Sequence, residues 1–251
     1  MRTEQEMLAL LTAVAEEDPR IRAAYLEGSR ANPKAPKDIF QDYDVVYVVE
    51  DTAPFRADRS WIDRFGERLY MQYPEEGVLF PAQPERCYGW LMQLRDGNRL
   101  DLHVCTPAYA LENLELYRTL LDKDGLMPGA AESSDEIYWI GKPTEEEFRC
   151  VCNEFWWCLN NVAKGLWRGE LPYALDMLDF TVRPMLKQLL TWQAGLDHDF
   201  KVSAGKAGKY LGRLLPPEEY ALFLSTYAAG EGRALWQATL RMCGQCGLDP
   251  P

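Results

Sequence analysis

The chain has 251 residues, with 27 Lys and Arg against 39 Asp and Glu, a net charge of −12 and 47% hydrophobic residues. That is enough apolar material for the core of one or two domains. The acidic balance disfavours a surface that tracks nucleic acid, which needs Lys and Arg to displace counterions, and it suits a cationic small molecule.

Thr3-x-x-Glu6 is a capping box, and Met7, Leu8, Leu10, Leu11 and Val14 follow at helical spacing, so a first helix runs into the polar Glu16-Glu-Asp-Pro19. Ile21 to Glu27 reads as a strand that ends at a Gly28-Ser29 turn. Residues 31–41 hold two prolines and read as a loop. Asp42-Tyr43-Asp44 leads into Val45-Val-Tyr-Val-Val49, a strand heading for the interior. Trp61 to Met71 reads as a helix. Tyr88 to Leu94 and Arg99 to Val104 read as a hairpin about the Asp96-Gly97-Asn98 turn. A helix is predicted from about Ala108 to Leu121.

Residues 123–143 are rich in Gly, Pro and Ser, Ser133 and Ser134 among them, and read as a linker. Beyond it the pattern is helical. Thr144-x-x-Glu147 is a second capping box, followed by Phe148, Val151, Phe155, Leu159 and Val162. Further helices are predicted at Pro172 to Gln193, bent at Pro184, then at Pro217 to Tyr227 and at Arg233 to Cys243. The expected organisation is α+β: a mixed-sheet domain over 1–135 and a helical-bundle domain over 136–251.

The seven cysteines are scattered and the only histidines are His103 and His198. Neither a disulfide framework nor a structural zinc site is expected, so Cys243-Gly-Gln-Cys246 is read as free thiols. The N-terminus has no apolar core of signal-peptide type and no run is long enough to span a bilayer, so a cytoplasmic chain with no membrane partner is expected.

Alternate side chains of a strand share a face, which sets Asp42 and Asp44 side by side, about 6–7 Å apart along the backbone. Two such carboxylates repel unless a cation lies between them, and Mg²⁺ is the cation that hard oxygens prefer. Asp101, flanked by Leu100 and Leu102 in mid-strand, supplies a third acid, and His103 shares its face. Gly28 lets backbone approach a phosphate, and its neighbouring amides with the Ser29 hydroxyl are potential donors. Lys206 and Lys209 lie in the small-residue stretch from Ser203 to Lys209, which lacks Walker spacing. Lys164 and Arg168 share a helix face.

At these residues the chain resembles the nucleotidyltransferase superfamily: Gly28-Ser29, then Asp42-x-Asp44, then Asp101 on a later strand. The blocks Leu26-Glu-Gly-Ser-Arg-Ala-Asn32, Lys37-Asp-Ile-Phe-Gln-Asp-Tyr-Asp44, Cys152-Asn-Glu-Phe-Trp156, Val162-Ala-Lys-Gly-Leu-Trp-Arg168 and Gly205-Lys-Ala-Gly-Lys-Tyr210 are similar to the aminoglycoside 6-adenylyltransferases. The resemblance implies a nucleotidyltransferase domain followed by a helical domain; one departure is that the sequence stops at Pro251, where the family carries a further C-terminal segment. It also implies transfer of AMP from ATP, with Mg²⁺, to the 6-hydroxyl of streptomycin.

By the same resemblance, Asp42 and Asp44 are metal ligands. Asp101 is the general base or a third ligand, the base being favoured. Gly28, Ser29 and Arg30, with Lys206, Lys209 and Tyr210, meet the nucleotide. A pocket for the guanidinium-bearing drug wants carboxylates and flat apolar surface, and Glu154, Trp156, Asp176 and Asp179 are its candidates. ATP and streptomycin are the expected partners of a monomer. The alternatives are the same chemistry on another acceptor, or a nucleotide-binding regulator without catalysis.

Overall fold

The computed structural model describes residues 1–79, 81–129, 135–227 and 232–245. Ser133, Ser134 and Cys246 lie outside them. The chain divides into two compact units, Met1–Ile137 and Tyr138–Pro251.

In the first unit, α1 (Glu4–Glu17) opens on the Thr3 capping box, in which Thr3 Oγ1 accepts from Glu6 N at 3.2 Å and Glu6 accepts from Thr3 N at 2.7 Å. After it come β1 (Ile21–Leu26), a single turn α2 (Gly28–Ala31), β2 (Tyr43–Val49), α3 (Ala53–Ala57), β3 (Arg68–Gln72), β4 (Cys87–Leu94), β5 (Arg99–Cys105), α4 (Pro107–Glu112) and β6 (Arg118–Asp122). The six strands form one sheet in the order β3-β4-β5-β2-β1-β6. β2 and β5 run parallel and the other neighbours antiparallel, so the sheet is mixed.

Two predicted helices are shorter than their apolar spacing suggests. Trp61–Phe65 makes one 3₁₀ turn that ends at Gly66, whose φ of 119° breaks it, and the chain continues as edge strand β3. α4 stops at Glu112, and the residues that had read as its continuation become β6, which completes the ladder of β1. In both places a free sheet edge recruits the segment, so pairing overrides helical spacing.

Alternation sorts β2 and β5 onto two faces. Tyr43, Val45, Tyr47 and Val49, with Leu100, Leu102 and Val104, pack against Met7, Leu11 and Val14 of α1 and against Trp61, Phe65 and Trp90. Each such buried side chain contributes about 1.5–3 kcal/mol. Val46, Val48 and Cys105, with Ala23 and Tyr25 of β1, form a smaller core on the other face under Ala110 of α4. Asp44, Asp101 and His103 belong to that second face by parity.

The second unit is helical. α5 (Glu145–Trp167) starts at the Thr144 capping box. α6 (Leu171–Asp176) runs into a π-helical turn, Met177–Val182, and then α7 (Arg183–Asp197), α8 (Leu211–Leu214), α9 (Pro217–Ser225) and α10 (Gly232–Gln245) follow. The helix predicted over 172–193 is one helical run from Leu171 to Asp197 that carries the π turn inside it. Pro184 follows directly on the π turn within this helical run, and the π turn sits where the missing proline N–H would otherwise interrupt the α-helical ladder. Phe155, Leu159, Val162, Ala174, Leu178, Val182, Leu186 and Leu190 make the core. Buried Arg183 donates to Thr226 O at 2.8 Å, pairs with Asp179 and lies 4.2 Å from the Tyr227 ring centroid. Among the described residues no helix is long and apolar enough to cross a membrane.

Candidate active site

The parallel register of β2 and β5 makes Asp44 and Asp101 direct partners. Asp42 immediately precedes β2. Each of these three acids offers one carboxylate oxygen, and the three oxygens lie within 4.8 Å of one another. Asp101 is buried and the other two are half-buried. Three like charges at this spacing repel unless positive charge is supplied.

Gly28 makes the close approach possible. Its φ is +63°, and a Cβ at this position would overlap Asp44 Oδ2, so the Gly-Ser turn lies directly against the carboxylate. Only glycine meets both demands without strain. Glu27 N donates to Asp44 O at 2.9 Å, tying the end of β1 to the start of β2. Ser29 Oγ accepts from Gln41 Nε2 at 3.2 Å. Arg30 is turned inward: it donates to Asp42 O at 2.9 Å and to Gln41 O at 2.8 Å, and its guanidinium stacks 3.7 Å from the Tyr43 ring centroid. In this arrangement Arg30 fixes the segment that delivers Asp42 and does not present those donors to a phosphate.

Three neighbours were not singled out as site residues from sequence. Arg99 Nε and Nη2 donate to the two oxygens of Asp101 at 2.9 and 2.6 Å, and Nε lies 3.6 Å from Asp42 Oδ2. The Asp101 hydrogen bonds push the arginine further up from its ordinary value, and the nearby Asp42 and Asp44 add to this. The sequence signal was its place two residues before Asp101 on one strand face. Glu27 is pushed up to about 7 by burial and by the charges of Glu115 and Asp44. Its signal was a carboxylate between buried Leu26 and the Gly28 turn. Gly89 seats His103, since a Cβ there would overlap the imidazole. Burial lowers the His103 pKa, against the opposing pull of Glu75 and Asp101. The ring is therefore held neutral.

The donor set suits a divalent cation. It is all carboxylate oxygen, the oxygens are close enough to share one ion, and a guanidinium already stands among them as counter-charge.

The remaining candidates belong to the second unit. Lys206, Lys209 and Tyr210 are brought together in a tight loop in which Gly205, Ala207 and Gly208 all have positive φ. Both lysines are exposed. Tyr210 lies under Lys209 Nζ at 5.2 Å and under the Arg213 guanidinium at 5.1 Å. Lys164 and Arg168 are exposed near the end of α5. The four residues proposed for the drug are not gathered. Trp156 packs edge-on against Phe155 and lines an apolar cavity of about 720 Å³ with Phe148, Trp192 and Phe200, and none of the three acids lines it. Glu154 accepts from Cys158 Sγ at 3.1 Å, Asp179 is paired with Arg183, and Asp176 is exposed at the end of α6.

Known proteins share this chain's sequence over nearly its whole length. A family model described as streptomycin adenylyltransferase matches residues 1–245. The aminoglycoside 6-adenylyltransferase of Bacillus subtilis (strain 168) is 38% identical over 242 residues, covering 95% of this chain and 85% of the relative. That of Staphylococcus aureus is 36% identical over 247 residues, covering 97% and 88%. A crystal structure of an aminoglycoside 6-adenyltransferase from Bacillus subtilis aligns over 100% of this chain and 94% of that one, with 31% identity and a TM-score of 0.43. The chain belongs to the streptomycin adenylyltransferase family and is a nucleotidyltransferase of the aminoglycoside-modifying kind.

Proposed function

We propose that this enzyme transfers AMP from Mg-ATP to the 6-hydroxyl of streptomycin and releases pyrophosphate. The observation that carries the reading is the cluster of Asp42, Asp44 and Asp101 packed against the Gly28 turn. Family membership supplies the class of acceptor, and the relatives named for the 6-position supply the choice of hydroxyl. The net charge of −12 suits a drug that carries guanidinium groups.

Asp42 and Asp44 would hold the metal, with Asp101 beside them as the favoured base. When bound, Mg²⁺ would neutralise charge on the triphosphate and favour in-line geometry at the α-phosphate. Gly28 and Ser29 admit the phosphates against the end of β1. Asp101 takes the proton of the acceptor hydroxyl as its oxygen bonds to the α-phosphorus, and the bond to the bridging oxygen of the β-phosphate breaks. Asp101 must first be released by Arg99, and a triphosphate is the anion to which that guanidinium then turns. His103, neutral and wedged against Gly89, keeps the Asp101 face in place.

To the second unit we assign the remaining substrate contacts. Lys206 and Lys209 serve the phosphates and Tyr210 the nucleotide, supported by their gathering in one strained loop. Glu154, Trp156, Asp176 and Asp179 stay proposed drug contacts. Of these, exposed Asp176 has the strongest support, because Glu154 and Asp179 already have partners. A monomer in the cytoplasm, where Mg-ATP is supplied, is the working state this reading assumes.

The test is to incubate the protein with Mg-ATP and a panel of aminoglycosides, following pyrophosphate release and product mass. The expected result is streptomycin gaining one adenylyl group at the 6-oxygen. Product on another drug and none on streptomycin would move the acceptor and keep the chemistry. No product on any member would leave the nucleotide-binding regulator.

A further inference from the structure

Cys87 opens β4 and Cys105 closes β5, and the two are direct partners in the antiparallel ladder. On the adjacent rung Thr106 N donates to Arg86 O at 2.8 Å, which makes the cysteine rung a non-hydrogen-bonded one. On such rungs opposing side chains come closest. The two sulfurs are 3.0 Å apart, with the Cys105 thiol donating to Cys87, and neither is bonded to another sulfur. Cys105 is buried, while Cys87 is partly open to solvent. The contact with Cys87, together with burial, pushes the Cys105 thiol up. Cys105 therefore remains a thiol that donates to the more accessible sulfur. Cys150 and Cys152 lack such a geometry, because two residues along α5 point to different faces.

We infer that Cys87 and Cys105 are a modification site: a thiol pair that a peroxide oxidises to a reversible disulfide. The Cys87 thiolate attacks one peroxide oxygen, the O–O bond breaks, and Cys87 becomes a sulfenic acid as hydroxide takes up a proton and leaves as water. The Cys105 sulfur then attacks the Cys87 sulfur, the S–O bond breaks, and a second water leaves with the Cys105 proton. Two thiols are oxidised and one hydrogen peroxide is reduced to two waters. Closing the bridge asks for a shift of only about 1 Å, because the opposed backbone positions already fall within the span a disulfide tolerates. Asp101, His103 and Cys105 share one face of β5, so the bridge ties β4 to β5 two rungs from the His103–Gly89 contact.

The pair is tested on the native chain with limiting hydrogen peroxide, followed by thiol blocking under denaturing conditions, intact mass and peptide mapping. The expected result is a mass lower by two hydrogens and a linked pair of peptides containing Cys87 and Cys105. Both should reverse with dithiothreitol, the melting temperature should rise on oxidation, and Cys87→Ser should not form the link. Should that variant fail to fold, the wild-type map alone decides. A bridge confined to Cys243 and Cys246, or Cys87 carried only to sulfenic and sulfinic acid while Cys105 stays free, would overturn the inference. It stands or falls independently of the acceptor and of the metal.

Discussion

One guanidinium spans two of the three acids: Arg99 Nη2 lies 2.6 Å from Asp101 Oδ2, while Arg99 Nε lies 3.6 Å from Asp42 Oδ2. A divalent cation entering the same cluster competes with it. Arg99→Gln should therefore lower the melting temperature in EDTA, by the equivalent of about 1–3 kcal/mol, because buried Asp101 loses its charged partner. It should also enlarge the rise in melting temperature on adding Mg²⁺, because the ion no longer displaces a resident charge. Thermal melts with EDTA and across a Mg²⁺ titration check this. Identical Mg²⁺ shifts in the two proteins would show that Arg99 does not share the site.

Gly28→Ala places a Cβ where Asp44 Oδ2 lies, on a residue with φ of +63°. The left-handed conformation costs about 1–2 kcal/mol for a residue with a Cβ. The larger effect is on function, since displacing Asp44 by about 1 Å is enough to cost about a hundredfold in turnover. The expected variant folds, melts lower and loses that much kcat. Full activity in a folded Gly28→Ala protein would mean that the turn and the acid do not act together.

Glu27 gives a pH dependence with a definite sign. Burial first, then Glu115 and Asp44, raise it from 4.5 to about 7. The folded state thus keeps a proton that the unfolded state has lost. Its stabilising effect is full below about pH 4.5, falls as pH rises through the interval up to 7, and is gone above that. Glu27→Gln removes this slope. At about 1.4 kcal/mol per pKa unit, the variant should gain about 3 kcal/mol on wild type between the ends of that interval. Denaturant melts in EDTA at pH 4.5, 6 and 7.5 measure it. A constant difference between the two proteins would contradict the assignment.

Asp101 and His103 are separated by paired substitutions. Asp101→Asn keeps shape but cannot take a proton, so turnover should fall at least roughly a hundredfold while Mg-ATP binding is retained. His103→Gln should mainly lower stability, since the imidazole fills the space over Gly89. Calorimetry of Mg-ATP binding beside single-turnover rates distinguishes them. Loss of Mg-ATP binding in Asp101→Asn would make it chiefly a metal ligand. Loss of rate in His103→Gln alone would make the histidine the base.

The sequence carried the acid pair because strand parity and a glycine turn are local signals. It carried the Asp96-Gly97-Asn98 hairpin and both capping boxes for the same reason. β3 and β6 were hidden because each becomes a strand only by pairing with an edge formed elsewhere in the chain. Trp61 to Met71 satisfies helical spacing with its first turn alone. The π turn Met177–Val182 left no mark in the apolar pattern, although Pro184 beside it signalled an irregularity in that helix. Arg30 matched a family block, yet its direction depends on the carbonyls of Gln41 and Asp42. Arg99 was passed over because an arginine beside an acid on a strand is common, and only the register of β2 with β5 shows that it reaches a second acid.

The account rests on Asp42 and Asp44 acting as a metal-holding pair beside the base Asp101, and Asp44→Asn tests that most directly. Asp44 is the member in register with Asp101 and in contact with the Gly28 turn. Pyrophosphate release from Mg-ATP with streptomycin present should fall at least roughly a thousandfold, the scale of several kcal/mol of lost charge stabilisation. The protein should remain folded. Turnover within about tenfold of wild type would contradict the central claim.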